Sequence, residues 1–169
     1  LVVYVPTQET PRVEKRTLPY ASRDGRDLVL DLYVPAAPLR RPAPVIVFVH
    51  GGGWSGGTRT TGPDFERYFA RDGFVMASIE YRLTPAVTFP ANVEDVRTAV
   101  RWLKANANAH GLDADRICLW GTSAGGHLAA VAAHAPEGTF DGAGTLAQSS
   151  AVRCVLDAYG PTKFDVMDQ

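Results

Sequence analysis

Two hydrophobic rhythms divide the chain. From Asp27 to Val34 apolar and polar residues alternate, with Leu28, Leu30, Leu32 and Val34 on one face. That is the period of a half-buried antiparallel strand. Arg16 to Ala21 and the turn residues Ser22-Arg23-Asp24-Gly25-Arg26 complete a predicted hairpin, and Pro35, Pro38, Pro42 and Pro44 punctuate the connection beyond it. From Val45 the alternation stops. Val45-Ile46-Val47-Phe48-Val49 is continuously apolar and mostly β-branched, as in a strand buried on both faces of a parallel sheet. Phe74 to Tyr81, Arg116 to Trp120 and Val152 to Tyr159 read as further strands. Helical spacing appears between them. Pro63 to Arg71 predicts a short helix with Phe65, Tyr68 and Phe69 on one side and Gly73 as its stop. Asn92 to Ala109 carries Val93, Val96, Val100 and Leu103 three or four apart, with Gly111 beyond its end. Ala124 to about His134 predicts a third helix.

Strands alternating with helices behind a leading hairpin predict an α/β sandwich around a mostly parallel sheet, as one domain over residues 1–169. Right-handed crossovers bring the loops after each strand to one sheet edge, where such folds bind ligands. The Gly-, Ser- and Thr-rich stretch Pro136 to Ser150 is expected as a surface loop near that edge.

Two glycine-rich runs follow strands and therefore fall on the same edge. His50-Gly51-Gly52-Gly53-Trp54 follows the first parallel strand, and Gly121-Thr122-Ser123-Ala124-Gly125 joins a strand to a helix. The second has the G-x-S-x-G form that projects a serine from a sharp turn. A serine hydroxyl needs such projection to reach a carbonyl, and small neighbours relieve the backbone crowding that the turn creates. The helix start behind it adds free N–H groups and a positive dipole end. Consecutive glycines allow the backbone of the first run to approach a substrate closely. The N–H groups of Gly52, Gly53 and Ala124 are the candidate donors to an oxyanion. A phosphate cradle is disfavoured, because Trp54-Ser55 stands where Lys followed by Ser or Thr would be needed. Trp54 reads equally as a wall of an acyl or alcohol pocket and as a packed aromatic. His50 precedes the donors and is expected to brace the loop rather than act as a base.

Charge and composition narrow the alternatives. Of 169 residues, 46% are hydrophobic and 21% charged, with a net charge of −1. Nothing here resembles a nucleic-acid footprint. Arg40-Arg41 reads as a solvated pair, and no apolar run approaches the roughly 20 residues of a membrane span. The expectation is a soluble protein, cytoplasmic in preference to secreted, although a processed leader ahead of Leu1 stays open. Cys118 and Cys154 lie in apolar runs and are expected as buried free thiols, a disulfide being the lesser alternative. No metal-ligand spacing and no cofactor motif is found.

These motifs resemble the carboxylesterase branch of the α/β-hydrolases, the hormone-sensitive-lipase-like enzymes and related small bacterial, feruloyl and acetyl-xylan esterases. The resemblance runs through His50–Trp54, Tyr81-Arg82-Leu83, Phe89-Pro90-Ala91 leading to Asp95-Val96 and Trp102-Leu103, Gly121–Leu128, and Ser149-Ser150 with Asp157–Thr162. It implies Ser123 as nucleophile, Gly52, Gly53 and Ala124 as oxyanion donors, Arg82 and Asp95 as structural, and a small ester as substrate. It also implies that the acid and base follow later strands. Downstream of Ser123 stand only His127 and His134, neither well placed. Asp157 could act as an acid in some arrangements; Asp165 and Asp168 are no better. The expected fold is therefore an α/β-hydrolase fold lacking its C-terminal strands, whose partner is the remainder of the same enzyme. An amide-cleaving relative, such as an arylformamidase or peptidase, and a non-catalytic binding fragment are the alternatives.

Overall fold

The computed structural model describes residues 12–36, 42–142 and 147–164. Pro38, Arg40, Arg41, Asp165 and Asp168 lie outside them. Strand β1 (Val13–Arg23) and strand β2 (Arg26–Pro35) form the predicted hairpin. Asp24 and Gly25 both have positive φ, 50° and 75°, the conformation that a two-residue turn between right-twisted strands requires. β2 pairs antiparallel with β4 (Val75–Ile79). The remaining pairings, β4 with β3 (Ala43–Val49), β3 with β5 (Leu112–Thr122) and β5 with β6 (Cys154–Ala158), are parallel. The spatial order is β1-β2-β4-β3-β5-β6.

That order fixes where a site can form. The chain runs from β3 outward to β4 in one direction, then from β4 past β3 to β5 and on to β6 in the other. Right-handed crossovers consequently place the two sets of connections on opposite faces. Neighbouring strands β3 and β5 thus release their chains to different sides, and the crevice between their ends is the topological switch point at which α/β sheets bind ligands.

One face is filled by helix α1 (Ala91–Ala105) and helix α3 (Ala124–His134). Leu30, Leu32, Val45, Val47, Val49, Ile79, Ile117 and Leu119 meet Val93, Val96, Val100, Leu103 and Leu128 there, all buried. The alternation read in β2 and the helical spacing read in α1 both describe this face. The other face carries the aromatic cluster of Phe48, Phe65 and Met76, with Tyr33, Phe69 and Trp120 at its margin. A groove of about 620 Å³ runs beside that cluster, lined among others by Ile46, Phe69, Phe74, Trp120 and Leu156.

Three expectations need correction. Residues 63–71 are not a helix; only the short 3-10 turn Ala70–Asp72 is regular. Tyr68 N bonds Asp64 O, but Ala70 N and Arg71 N reach five residues back to Phe65 O and Glu66 O. These widened turns cannot propagate while Phe65 is held in the aromatic cluster. The long helix read from Asn92 to Ala109 breaks at Asn106, whose side chain donates to Trp102 O at 2.9 Å and closes α1 before the one-turn helix α2 (Ala107–His110). Cys118 and Cys154 are not buried free thiols. They are register partners on β5 and β6 and form a disulfide, with Cys154 exposed. Apolar neighbours in the chain suggested burial, but both cysteines face the side that α1 and α3 do not cover.

Candidate active site

Backbone packing brings the two glycine runs together. Thr122 ends β5 and Ala124 begins α3, so the whole reversal falls on Ser123, at φ 52° and ψ −125°. Such a conformation is costly for a residue with a side chain and persists only where its surroundings enforce it. They do. Ser123 N donates to Ala158 O of β6 at 2.9 Å, and Ser123 O accepts from His127 N at 3.1 Å. A Cβ on Gly121 would collide with Gly125 O, and one on Gly125 with the carbonyl oxygens of Val49 and His50. Across the crevice, a Cβ on Gly51 would lie 2.8 Å from Thr122 O and 3.2 Å from Ser123 Cβ. The elbow and the end of β3 are therefore packed backbone against backbone, which only glycine permits.

Ser123 opens into a cleft of about 660 Å³ lined by Gly51, Gly52, Gly57, Thr61, Gly62 and Tyr159, among others. Gly53 and Trp54 face a second pocket of about 460 Å³, with Phe89, Asn92, His127, Leu128 and Phe164. The glycine run thus forms the partition between two cavities. Gly52 has φ 121° and Gly53 φ 59°. Among the described residues, no acceptor takes the backbone N–H of Gly52, Gly53 or Ala124, so these donors are free for a ligand. Trp54 borders this second pocket and also packs against the aliphatic core. Its ring meets His127 edge-on at 5.6 Å between centroids.

The histidines are explained by what they touch. His50 is fully buried; its Nδ1–H donates to Gly51 O at 2.7 Å, and its ring stacks on Tyr81 at 4.3 Å. Tyr81 also donates its hydroxyl to His50 O at 2.8 Å. Burial holds the His50 imidazole below its usual range, against the opposing pull of the Gly51 carbonyl and the Glu80 charge. Burial lowers His127 likewise, opposed by Asp157. Both rings are therefore neutral near pH 7. His110 and His134 end α2 and α3. Asp157 Oδ1 accepts from Gly160 N at 2.8 Å and sits against Gly126, closing the turn after β6. Arg82 holds the buried Asp95 through Nε and Nη2, both at 2.8 Å. Among the described residues, no histidine or carboxylate is bonded to the Ser123 hydroxyl. The loop expected near the site is anchored by Asp141, which receives Arg97 Nε and Arg101 Nη1 at 2.8 Å each. Its Phe140 packs on the pocket residue Phe89.

Thr61, Gly62 and Tyr159 were invisible as site residues in the sequence. Tyr159 stood at the end of a predicted strand and within the Asp157–Thr162 segment of the resemblance, without being marked as a cleft residue. It is 78% exposed, with φ 52°.

Residues 30–169 match the BD-FAE family. The chain belongs to that family. Over 124 residues it is 40% identical to the carboxylesterase NlhH of Mycobacterium tuberculosis, covering 72% of this chain and 38% of that protein. It is 38% identical over 121 residues to the esterase LipC of the same organism, covering 71% and 30%. Among solved structures, the propionate-bound esterase of the planctomycete Thermogutta terrifontis superposes with a TM-score of 0.70 at 32% identity, over 89% of this chain and 54% of that one. The fold of this BD-FAE chain is accordingly the α/β-hydrolase fold expected from its motifs. The chain spans about a third to a half of the length of these relatives.

Proposed function

We propose that this BD-FAE chain carries the nucleophile and oxyanion hole of a serine carboxylesterase. The carrying observation is one cleft in which Ser123, held at a strained elbow, faces the glycine run whose N–H groups lack partners. In this reading Ser123 Oγ attacks an ester carbonyl while a base takes its proton. The carbonyl oxygen becomes an oxyanion held by the N–H groups of Gly52, Gly53 and Ala124. Collapse expels the alcohol, which leaves with that proton, and water then releases the acyl group from Ser123. His50 braces the loop from below. The pocket beside Gly53 and Trp54 takes one arm of the substrate. Its volume of about 460 Å³ suits small to medium groups, acetyl or feruloyl among them. Acid and base reach Ser123 from a part of the protein outside the described residues. Coverage of a third to a half of the relatives supports this, as does the exposed Leu156 on the outer strand β6. For the described residues alone, the missing base favours a second reading, a non-catalytic piece. Among them, no helix is long and apolar enough to cross a membrane. The Cys118–Cys154 pairing supports an oxidising compartment over the cytoplasm.

Fluorophosphonate labelling of the full-length protein decides between these. The expected result is stoichiometric label on Ser123, lost with ester hydrolysis in Ser123→Ala. A full-length protein that takes no label would overturn the enzyme reading.

A further inference from the structure

The connection after the glycine run is gripped at Arg59. Its Nε lies 3.0 Å from Asp31 Oδ1, and its Nη1 2.8 Å from Glu80 Oε1. Its backbone N–H donates to the same Glu80 oxygen at 3.2 Å, and its carbonyl accepts from Ser78 Oγ at 2.7 Å. Asp31 and Ser78 are fully buried register partners on β2 and β4. Asp31 is also held by Thr17 Oγ1 at 2.6 Å and Lys15 Nζ at 2.9 Å. A carboxylate sequestered in a sheet requires such partners.

Glu80 and Tyr81 are consecutive, and alternation along an extended chain turns them to opposite faces. Tyr81 holds the start of the glycine segment at His50, and Glu80 holds its end at Arg59. Between those points the segment closes on itself, since a Cβ on Gly57 would collide with Gly51 O. Within it, Gly56 N bonds Gly52 O at 2.9 Å, and Thr84 N bonds Trp54 O at 2.9 Å. Residues 50–59 are therefore a loop tied at both ends to the terminus of one strand, with Gly52 and Gly53 in its span.

We propose that Arg59 is a positioning residue for the oxyanion donors. It fixes the far end of their loop by joining two carboxylates, one from β2 and one from the end of β4. This rests on the serine carboxylesterase reading of the cleft. Lysine cannot substitute, because a single ammonium on a flexible stem does not reproduce a planar fork that meets both partners. If the Arg59 guanidinium lets go, Asp31 keeps Thr17 and Lys15, so the sheet is retained, while the loop end is left with only its backbone bonds to Glu80 and Ser78 and is loosened.

The test uses the full-length protein with Arg59→Lys and Asp31→Asn, turnover being normalised to fluorophosphonate-titrated Ser123. On p-nitrophenyl acetate, kcat is expected to fall about tenfold to a hundredfold, the scale of a displacement near 1 Å, with KM within about twofold. A trifluoromethyl ketone, which forms an oxyanion on Ser123, is expected to lose affinity in proportion to kcat/KM. In Arg59→Lys, hydrogen exchange is expected to rise in residues 50–59 and not in β2; Asp31→Asn is read by kcat and ketone affinity only, because Asp31 lies in β2 itself. Unchanged kcat and ketone affinity would overturn the proposal. So would exchange rising equally in β2, which marks a merely structural role. Should Arg59→Lys fail to fold, Asp31→Asn decides. A wild-type protein that takes no label defeats the esterase reading instead, and the exchange comparison then decides the tether alone.

Discussion

The serine elbow and the glycine loop meet at one cleft yet are held in place by different physics. The elbow is fixed by steric exclusion: Gly121 against Gly125, and Gly125 against the carbonyls of Val49 and His50. The glycine loop is fixed by polar groups: the Tyr81 hydroxyl on His50, and Asp31, Glu80 and Ser78 on Arg59. Hard contact defines a position sharply and fails abruptly. Hydrogen bonds and ion pairs yield by degrees, and they respond to solvent and pH. Under the proposed esterase reading, the reacting atom would thus sit on the rigid half of the cleft, and the groups that would receive charge on the adjustable half.

Glycine substitutions test that contrast most severely. Gly125→Ala is expected to cost about 3 kcal/mol or more, because its new Cβ meets backbone that cannot retreat. Urea unfolding of the full-length protein measures it, and a loss below about 1 kcal/mol would break the comparison. Gly53→Ala is expected to cost only about 1–2 kcal/mol, the left-handed backbone penalty. Its Cβ would meet nothing nearer than Ser55 Oγ at 3.9 Å.

The smallest expected effect is a pH dependence on the loop side. Burial holds folded His50 below its unfolded imidazole value. Its contribution is therefore present above the unfolded value near 6.5 and is lost as pH falls from there through the folded value. Asp31 acts in a lower window. Burial would raise its carboxyl, but the hydrogen bond from Thr17 and the ion pairs with Lys15 and Arg59 outweigh that and hold it below the ordinary range. Its contribution is lost only under stronger acid, as pH falls through that lowered value. Thermal midpoints between pH 7.5 and 5 are expected to fall less steeply in His50→Asn than in the wild type. Parallel slopes would assign the dependence to His127 and His110, whose values burial also lowers.

Local pattern revealed what local forces determine. The alternation of Leu28, Leu30, Leu32 and Val34 marked β2, and the apolar run at Val45 marked β3, since each residue's burial follows from strand period alone. The pairing of the two glycine runs was readable because both follow strands of one sheet. Residues 63–71 misled because helical spacing of Phe65, Tyr68 and Phe69 is equally satisfied by an irregular cover over an aromatic cluster. Cys118 and Cys154 stand 36 positions apart, and only strand register makes them neighbours. Arg59 had no legible role for the same reason: Asp31 and Glu80 converge on it from distant positions and carry no spacing of their own.

The grip on Arg59 also divides the connection between β3 and β4 into two regimes of length. Between His50 and Arg59 both ends are tied to one strand terminus, so an inserted or deleted residue shifts Gly52 and Gly53 directly. Past Arg59 the chain is held by bonds within its own turn, Thr61 N to Thr58 O at 2.8 Å and Thr58 N to Thr61 Oγ1 at 3.1 Å, before Gly62 packs against Phe48 and Phe65. A change of chain length upstream of Arg59 should therefore displace Gly52 and Gly53, whereas one between Thr60 and Pro63 should reshape the cleft wall that Thr61, Gly62 and Pro63 form.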